Sequence, residues 1–170
     1  MSMREPHFVS FVLGPHLLGI DILLVREIIR NVDFTPVARA PLAVRGLLNL
    51  RGQIITVLDL APSLGLPLRE MGPDSRCLIL KSPEEVALLV AAGLVDEEPV
   101  GEAVGLLVDG ISDVIRPGAE GVGSPPANAN GIDADHLRGV VQLEERLLLV
   151  LSLKRLLEEG LGLRSLVSRN

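Results

Sequence analysis

The chain carries one short pattern twice, and that repetition constrains its fold more than any other feature. Val44-Arg-Gly-Leu-Leu-Asn-Leu50 lies over Leu137-Arg-Gly-Val-Val-Gln-Leu143 at a shift of 93 positions (137 − 44). Past a turn, Ile54-Ile-Thr-Val-Leu-Asp-Leu60 lies over Leu147-Leu-Leu-Val-Leu-Ser-Leu153 at the same shift. A second pair keeps the same order at a shift of 86 (105 − 19): Gly19-Ile20 through Val25-Arg-Glu-Ile-Ile-Arg30 over Gly105-Leu106 through Ile111-Ser-Asp-Val-Ile-Arg116. Strands rich in Leu and Val resemble one another by chance, but the paired Arg-Gly, the paired Gly and the matching terminal Arg are harder to dismiss. Duplication predicts two small β-units related by a pseudo-twofold. Neither is long enough to bury a comfortable core alone, so a shared apolar seam is expected.

Local chemistry fills in the elements. Phe8 to Leu13 and Leu17 to Ile22 flank Gly14-Pro15-His16 and read as a hairpin. Val25 to Arg30 is a further extended run. Leu47 to Leu50 and Ile54 to Leu60 flank Arg51-Gly52-Gln53, where Gly52 can take a positive φ without a Cβ penalty, as a tight hairpin needs. Leu137 to Leu143 and Leu147 to Leu151 form its counterpart around Glu144-Glu145-Arg146. Ser75 to Leu80, Val104 to Val108 and Ile111 to Arg116 read as extended. Val37 to Pro41, Pro67 to Asp74 and Pro117 to Gly131 read as irregular chain. Asp59 is expected to cap a short helix through Ser63-Leu64 stopped by Gly65, and Ser152 to cap a helix from Leu153 to Glu159 closed by Gly160. Pro83 to Ala92 suits a helix start as well as a strand, and Asp96-Glu97-Glu98-Pro99 reads as an exposed acidic turn. The fold class is therefore all-β with a short C-terminal helix. It is one domain with subdomains of about 1–70 and about 71–170, between which terminal segments are free to cross.

Composition narrows the function. Hydrophobic residues make up 48% of the chain but aromatics only 2%, so the core is built from Leu, Val and Ile. With 16 basic and 22 acidic residues, no basic cluster and no aromatic platform, nucleic acid is not an expected partner. Cys77 stands in an apolar run and reads as a buried, inert thiol. The first residues show no signal-peptide pattern, and the longest apolar stretch, Val86 to Val95, is short of a membrane span; a cytoplasmic protein is expected. His7, His16 and His136 lack metal-ligand spacing, and no nucleophile elbow or phosphate loop is present. Gly121-Val-Gly123-Ser-Pro-Pro126 carries glycines, but its prolines block the helix a phosphate site requires. Asp21, Asp59 and Asp109 each have a simpler role as a cap or turn residue than as an acid/base set. A duplicated β-scaffold without a reactive site, cofactor or metal reads as a binding module.

The residues also resemble a known family. Gly19-Ile-Asp-Ile22, Val25-Arg-Glu-Ile28, Ala40-Pro41, Arg45-Gly46 and Asn49-Leu-Arg-Gly52 with Val57-Leu-Asp-Leu60 resemble the first half of CheW coupling proteins. Gly105-Leu-Leu-Val-Asp-Gly-Ile-Ser-Asp-Val114, Arg138-Gly139, Leu151 and Lys154-Arg-Leu-Leu157 resemble the second half, so the likeness runs from about Phe8 to Leu157. It implies two SH3-like five-stranded barrels packed across an apolar interface. It implies a non-catalytic adaptor that joins the cytoplasmic tip of methyl-accepting chemoreceptors to the regulatory domain of the histidine kinase CheA, recruited to membrane receptor arrays without inserting in the bilayer. By motif position, Val25, Glu27, Arg51, Ile111 and Val114 correspond to receptor-facing residues, and Arg45 with Gly46 to a position tied to kinase coupling. Both halves would line one groove, which an amphipathic receptor helix enters.

Plainer roles exist for each: an Arg in a hairpin turn is usually solvated, Val25, Ile111 and Val114 could be core, and Glu27 could face only water. The chain departs from the family at His136, where an aromatic is common, at Glu144-Glu145, which replaces a Gly-containing turn, and at Pro83 to Glu102, which is longer and more acidic than the usual hairpin. The motifs do not separate a flagellar pathway from a pilus-motility or second-messenger array. A reading of a different class is a regulatory domain that binds a small molecule in the seam between the units.

Overall fold

The structure is a computed structural model, and it describes residues 4–30, 32–98 and 100–163. In chain order the elements are β1 (Phe8–Leu13), β2 (His16–Asp21), β3 (Val25–Ile29), β4 (Val44–Leu50), β5 (Gln53–Leu58), β6 (Arg76–Leu80), α1 (Pro83–Ala91), β7 (Val104–Val108) and β8 (Gly110–Ile115). A two-stranded ribbon follows, β9 (Asn128–Ala129) and β10 (Ile132–Asp133), then β11 (Leu137–Gln142), β12 (Leu147–Leu151) and α2 (Leu153–Gly160). The chain is mostly β, with two five-stranded sheets: β11-β12-β2-β1-β8 and β3-β6-β7-β5-β4.

Strand for strand, β4-β5-β7-β6-β3 corresponds to β11-β12-β2-β1-β8. The correspondence reaches details that Leu/Val content cannot imitate. Each sheet has one parallel contact, β5 with β7 and β12 with β2. The hairpin registers slip at the same place, between Val44 and Gly46 and between Leu137 and Gly139, so Arg45 and Arg138 are the extra residues of equivalent bulges. The glycines after them admit a crossing chain: Thr35 bridges Leu47, and Gly123 bridges Val140. A Cβ on Gly46 would meet the Thr35 carbonyl, and one on Gly139 would lie 2.6 Å from the Gly123 carbonyl oxygen. Only glycine lets the backbones approach this closely.

The sheets do not follow the halves of the chain. Hairpin β1–β2 joins β8, β11 and β12, while β6–β7 joins β3, β4 and β5. Terminal crossing alone does not describe this, because β6–β7 is internal. Each sheet encloses a small core of its own, around Leu48, Ile55, Val57 and Cys77 in one and Val141, Leu148, Val150 and Phe8 in the other. A larger apolar cluster, including Phe11, Leu18, Leu58, Leu78, Leu106, Leu149 and Leu156, draws on both sheets and α2. This is the shared seam expected from the duplication.

Three local expectations change. The ambiguous stretch from Pro83 is helix: Pro83 takes the first helical position, the Ser82 hydroxyl accepts from the Glu85 amide at 3.1 Å, and the Glu85 carboxylate accepts from the Ser82 amide at 3.1 Å. Asp59 does not start a helix. It accepts from the Ala61 amide at 2.9 Å, and a single turn follows that Gly65, at φ +73°, ends. Nor is the acidic turn wholly exposed. Glu97 is buried, pairs with Arg138 at 2.8 Å and accepts from the Leu153 and Lys154 amides. It thereby supplies the N-terminal cap of α2 that the Ser152 side chain does not make. Burial pushes its carboxyl up, against the pull of Arg138 and those two amides. Asp96 and Glu98 pair with Arg138 and Lys154, so the acidic run fastens the excursion 81–103 to the other sheet and to α2.

Candidate partner-binding surface

The turn between β4 and β5 is a two-residue loop, Arg51-Gly52, closed by the Leu50–Gln53 pair. Both loop residues have positive φ, +52° and +85°, the signature of a type I′ turn, whose twist matches that of the strands it joins. Gly52 is at ease there. Arg51 is not, since a Cβ at positive φ crowds the following carbonyl. The Asn49 side chain accepts from the Gly52 amide at 3.0 Å and steadies the turn. The Arg51 guanidinium then lies on Glu27 of β3 in a two-pronged pair, with both contacts at 2.7 Å. That bond holds the Glu27 carboxyl below the ordinary carboxylate range and raises Arg51.

Ile28 follows Glu27 and, by the alternation of the strand, faces the side of Leu78, whereas Glu27 lies on the side of Ile79. Ile28 on β3 and Ile54 on β5 are exposed, at 42% and 56%. Arg26, the extra residue of the β3 bulge, reaches Gln53 at 2.8 Å and Glu85 of α1 at 2.6 Å. Side chains thus bridge the two edges of the sheet, β3 to the β4–β5 turn. Val25 is half-buried and packs against the seam.

Ile111 and Val114 stand on β8, the edge strand of the other sheet, opposite Phe11 and Val9 of β1. They are exposed at 36% and 53%. Between them Ser112 and Asp113 bulge opposite Ser10, whose hydroxyl donates to the Asp113 carbonyl. In the repeat Ile111 matches Val25 and Val114 matches Ile28, so the two apolar edges are equivalents. The ion pair is not repeated: Glu27 and Arg51 correspond to Asp113 and Glu144 (27 + 86, 51 + 93), both acidic. The structure therefore joins Glu27 to Arg51 directly and sets Ile111 and Val114 on a separate sheet edge.

Arg45 and Gly46 lie on β4, away from that edge. Arg45 pairs with buried Asp59 at 3.1 Å and lies over the Phe34 ring at 5.9 Å. Asp59 also lies 3.8 Å from Arg69, which pairs with Asp109 at 2.7 Å; Asp109 in turn accepts from the Gly14 amide at 2.8 Å. This chain of charges ties the β1–β2 turn of one sheet to β4 and β5 of the other. Gly46 is buried, with no side chain to offer a partner. Asp21 accepts from the Leu23 amide at 2.9 Å, so all three aspartates serve turns and caps. Sequence reasoning missed the Arg45–Asp59–Arg69 chain, because Arg69 lies in a loop whose only signal was Pro and charge.

Burial lowers the pKa of His16, and His136 lies 3.0 Å from Glu159. Among the described residues no helix is long and apolar enough to cross a membrane.

Comparison with known proteins matches residues 7–160 to a family described as CheW-like domain. The chain is 34% identical over 158 residues to chemotaxis protein CheW of Treponema pallidum, covering 92% of this chain and 85% of that protein. It is 30% identical to chemotaxis protein CheW of Klebsiella aerogenes, covering 88% and 80%. Among solved structures it resembles the scaffolding protein TtCheW of Thermoanaerobacter tengcongensis, with a TM-score of 0.71 at 27% identity over 90% of this chain and 88% of that one.

Proposed function

The chain belongs to the CheW-like family of non-catalytic chemotaxis scaffolds, and from that premise we propose that it couples methyl-accepting chemoreceptors to the histidine kinase CheA. The observation that carries the finer reading is the Glu27–Arg51 pair, held at the exposed β3 edge by a turn residue in the left-handed region. A solvated turn would be served better by Asn or Gly at that position. Arg there, in a two-pronged pair with a carboxylate, clasps β3 to the β4–β5 turn, and the same two strands, β3 and β5, expose Ile28 and Ile54.

A receptor helix would set its apolar face against Ile28 and Ile54 and one polar residue against the clasp. Ile111 and Val114 offer a second apolar edge to the same receptor bundle. Arg45 and Gly46 act on kinase coupling through the shape of β4: Gly46 admits the crossing chain at Thr35, and Arg45 anchors the bulge to Asp59. In the cell the protein works at receptor arrays on the cytoplasmic side, held there by its partners.

The test is a pull-down of a soluble receptor-tip fragment and of the regulatory domains of the same organism's CheA-like kinases. Wild-type protein should capture both, and the kinase captured identifies the pathway. Arg51→Glu sets two carboxylates face to face and should lose receptor capture while keeping its melting temperature and kinase capture. Loss of cooperative melting in that variant would make Arg51 structural. Capture of neither partner by the wild type would overturn the coupling role.

A further inference from the structure

We propose that the outer face of α1 is a docking surface for an amphipathic helix whose apolar stripe is flanked by lysines and arginines. The fold itself does not need α1. The equivalent hairpin, β1–β2, closes through Gly14-Pro15 with Leu13 paired to His16, whereas β6 and β7 are joined by the whole excursion 81–103. A connection so much longer than its turn requires is most often functional. This one is also held in place: Arg26 pairs with Glu85, Arg4 donates to the Leu94 carbonyl at 3.3 Å, and the Thr56 hydroxyl donates to Glu102. The entropy of ordering it is therefore met before any partner arrives.

Val86 is buried and Leu89 packs on the shared cluster, so α1 turns Glu84, Ala87, Leu88 and Ala91 outward, at the i, i+3, i+4 and i+7 spacing of one helical face. Leu88 is 72% exposed, more than any other large apolar side chain among the described residues. No residue from Val86 to Val95 is charged, and Val90 and Leu94 in the same stretch are exposed as well. An outer helix face without charge marks an interaction site. What borders it identifies the occupant. The excursion carries six acidic residues and one basic, Lys81. Arg26, Arg138 and Lys154 pair onto it from outside, which still leaves carboxylates in excess, six against four cations. Arg4, which also reaches the excursion, is matched by Asp21. A second copy of the chain would set that excess against its own, and an anionic membrane would be repelled by it. A helix with its apolar stripe over Leu88 and basic residues on either side complements both the face and its border.

The experiment is an amide-shift titration of the intact, isotope-labelled protein with an amphipathic leucine–lysine peptide of about four helical turns. Its controls are a leucine–glutamate peptide of the same pattern and a leucine–lysine peptide of the same composition with the pattern scrambled. The amphipathic basic peptide should bind saturably and shift the amides of residues 84–96, and the acidic peptide should bind about tenfold more weakly. Leu88→Gln should weaken binding about tenfold, the loss of one buried leucine contact, and Glu84→Lys about fivefold. Both positions face solvent, so both variants should melt as the wild type does. Shifts scattered over the molecule, or equal binding of the scrambled peptide, would mean charge attraction alone and would overturn the proposal. So would unchanged affinity in Leu88→Gln, or a wild-type dimer in sedimentation that Leu88→Gln abolishes, which would assign the face to a second copy. None of these measurements involves kinase or receptor, so failure here leaves the coupling reading untouched.

Discussion

Single residues divide into those that hold the backbone and those proposed to face a partner, and the two kinds predict different phenotypes. Gly46 is of the first kind. An added Cβ meets the Thr35 carbonyl and lies 2.7 Å from the Phe34 ring, so Gly46→Ala forces two segments apart. The expected cost is about 2–3 kcal/mol, read as a lower urea midpoint. Gly52→Ala meets nothing within 4 Å and pays only for its φ of +85°, about 1–2 kcal/mol. If Gly46→Ala unfolds at the wild-type midpoint, the crossing at Thr35 is not the constraint described. Cys77 is a third case. Burial pushes its thiol up to about 12 from an ordinary 9.0. The folded state therefore holds this proton more firmly than the unfolded state. Its contribution is complete below pH 9 and falls as the pH climbs from 9 toward 12. The stability gap between wild type and Cys77→Ala should narrow over that window, and iodoacetamide at pH 8 should label Cys77 only after denaturant is added. Rapid labelling of the native protein would mean that β6 opens locally.

At the scale of elements, the excursion 81–103 is fastened by Glu97. Glu97→Ala removes the acceptor for the Leu153 and Lys154 amides and leaves Arg138 without its closest carboxylate. A loss of about 2–3 kcal/mol is expected in urea unfolding. Ser152→Ala should cost less than about 0.5 kcal/mol, because that side chain makes no capping bond. The reverse ranking would return the cap to Ser152. These elements also show how far the sequence could be read. The hairpins were legible because Arg-Gly and strand alternation act within a few residues. The capping box at Ser82 and Glu85 was present, but a Val-Ala-Leu-Leu run suits strand and helix alike, so α1 stayed undecided. Glu97 was hidden in an acidic triplet, where only the fold shows which carboxylate turns inward. The partnership of Glu27 with Arg51 was not legible either. Their motif positions marked both, yet their contact depends on the approach of β3 to a turn 24 residues away.

At the scale of the molecule, each half donates a hairpin to the other, and this governs how the chain can unfold. The duplication was visible as paired motifs at shifts of 93 and 86, but its third member was not. Phe8–Leu13 matches the chain from Cys77 only at a shift of 69, an apolar run against an apolar run with no marker residue. The exchange of β1–β2 against β6–β7 therefore had no local signature, although it decides which segments depend on each other. A fragment of residues 1–70 holds β1 to β5, which belong to two different sheets, and lacks β6 and β7 between β3 and β5. A fragment of residues 71–170 holds β8, β11 and β12 without the hairpin that separates them. Isolated hairpins without a completed sheet are marginal in water, and each fragment would leave its side of the shared cluster exposed. Both fragments should therefore show poorly dispersed amide spectra and no cooperative melting, and mixing them should restore the spectrum of the intact protein. The intact chain should melt in one transition, because neither sheet can close while the other is open. Cooperative folding of either fragment alone would show that a half carries its own core. The β3 and β8 edges would then be free to move independently, and the proposed engagement of both by one receptor bundle would lose its rigid frame.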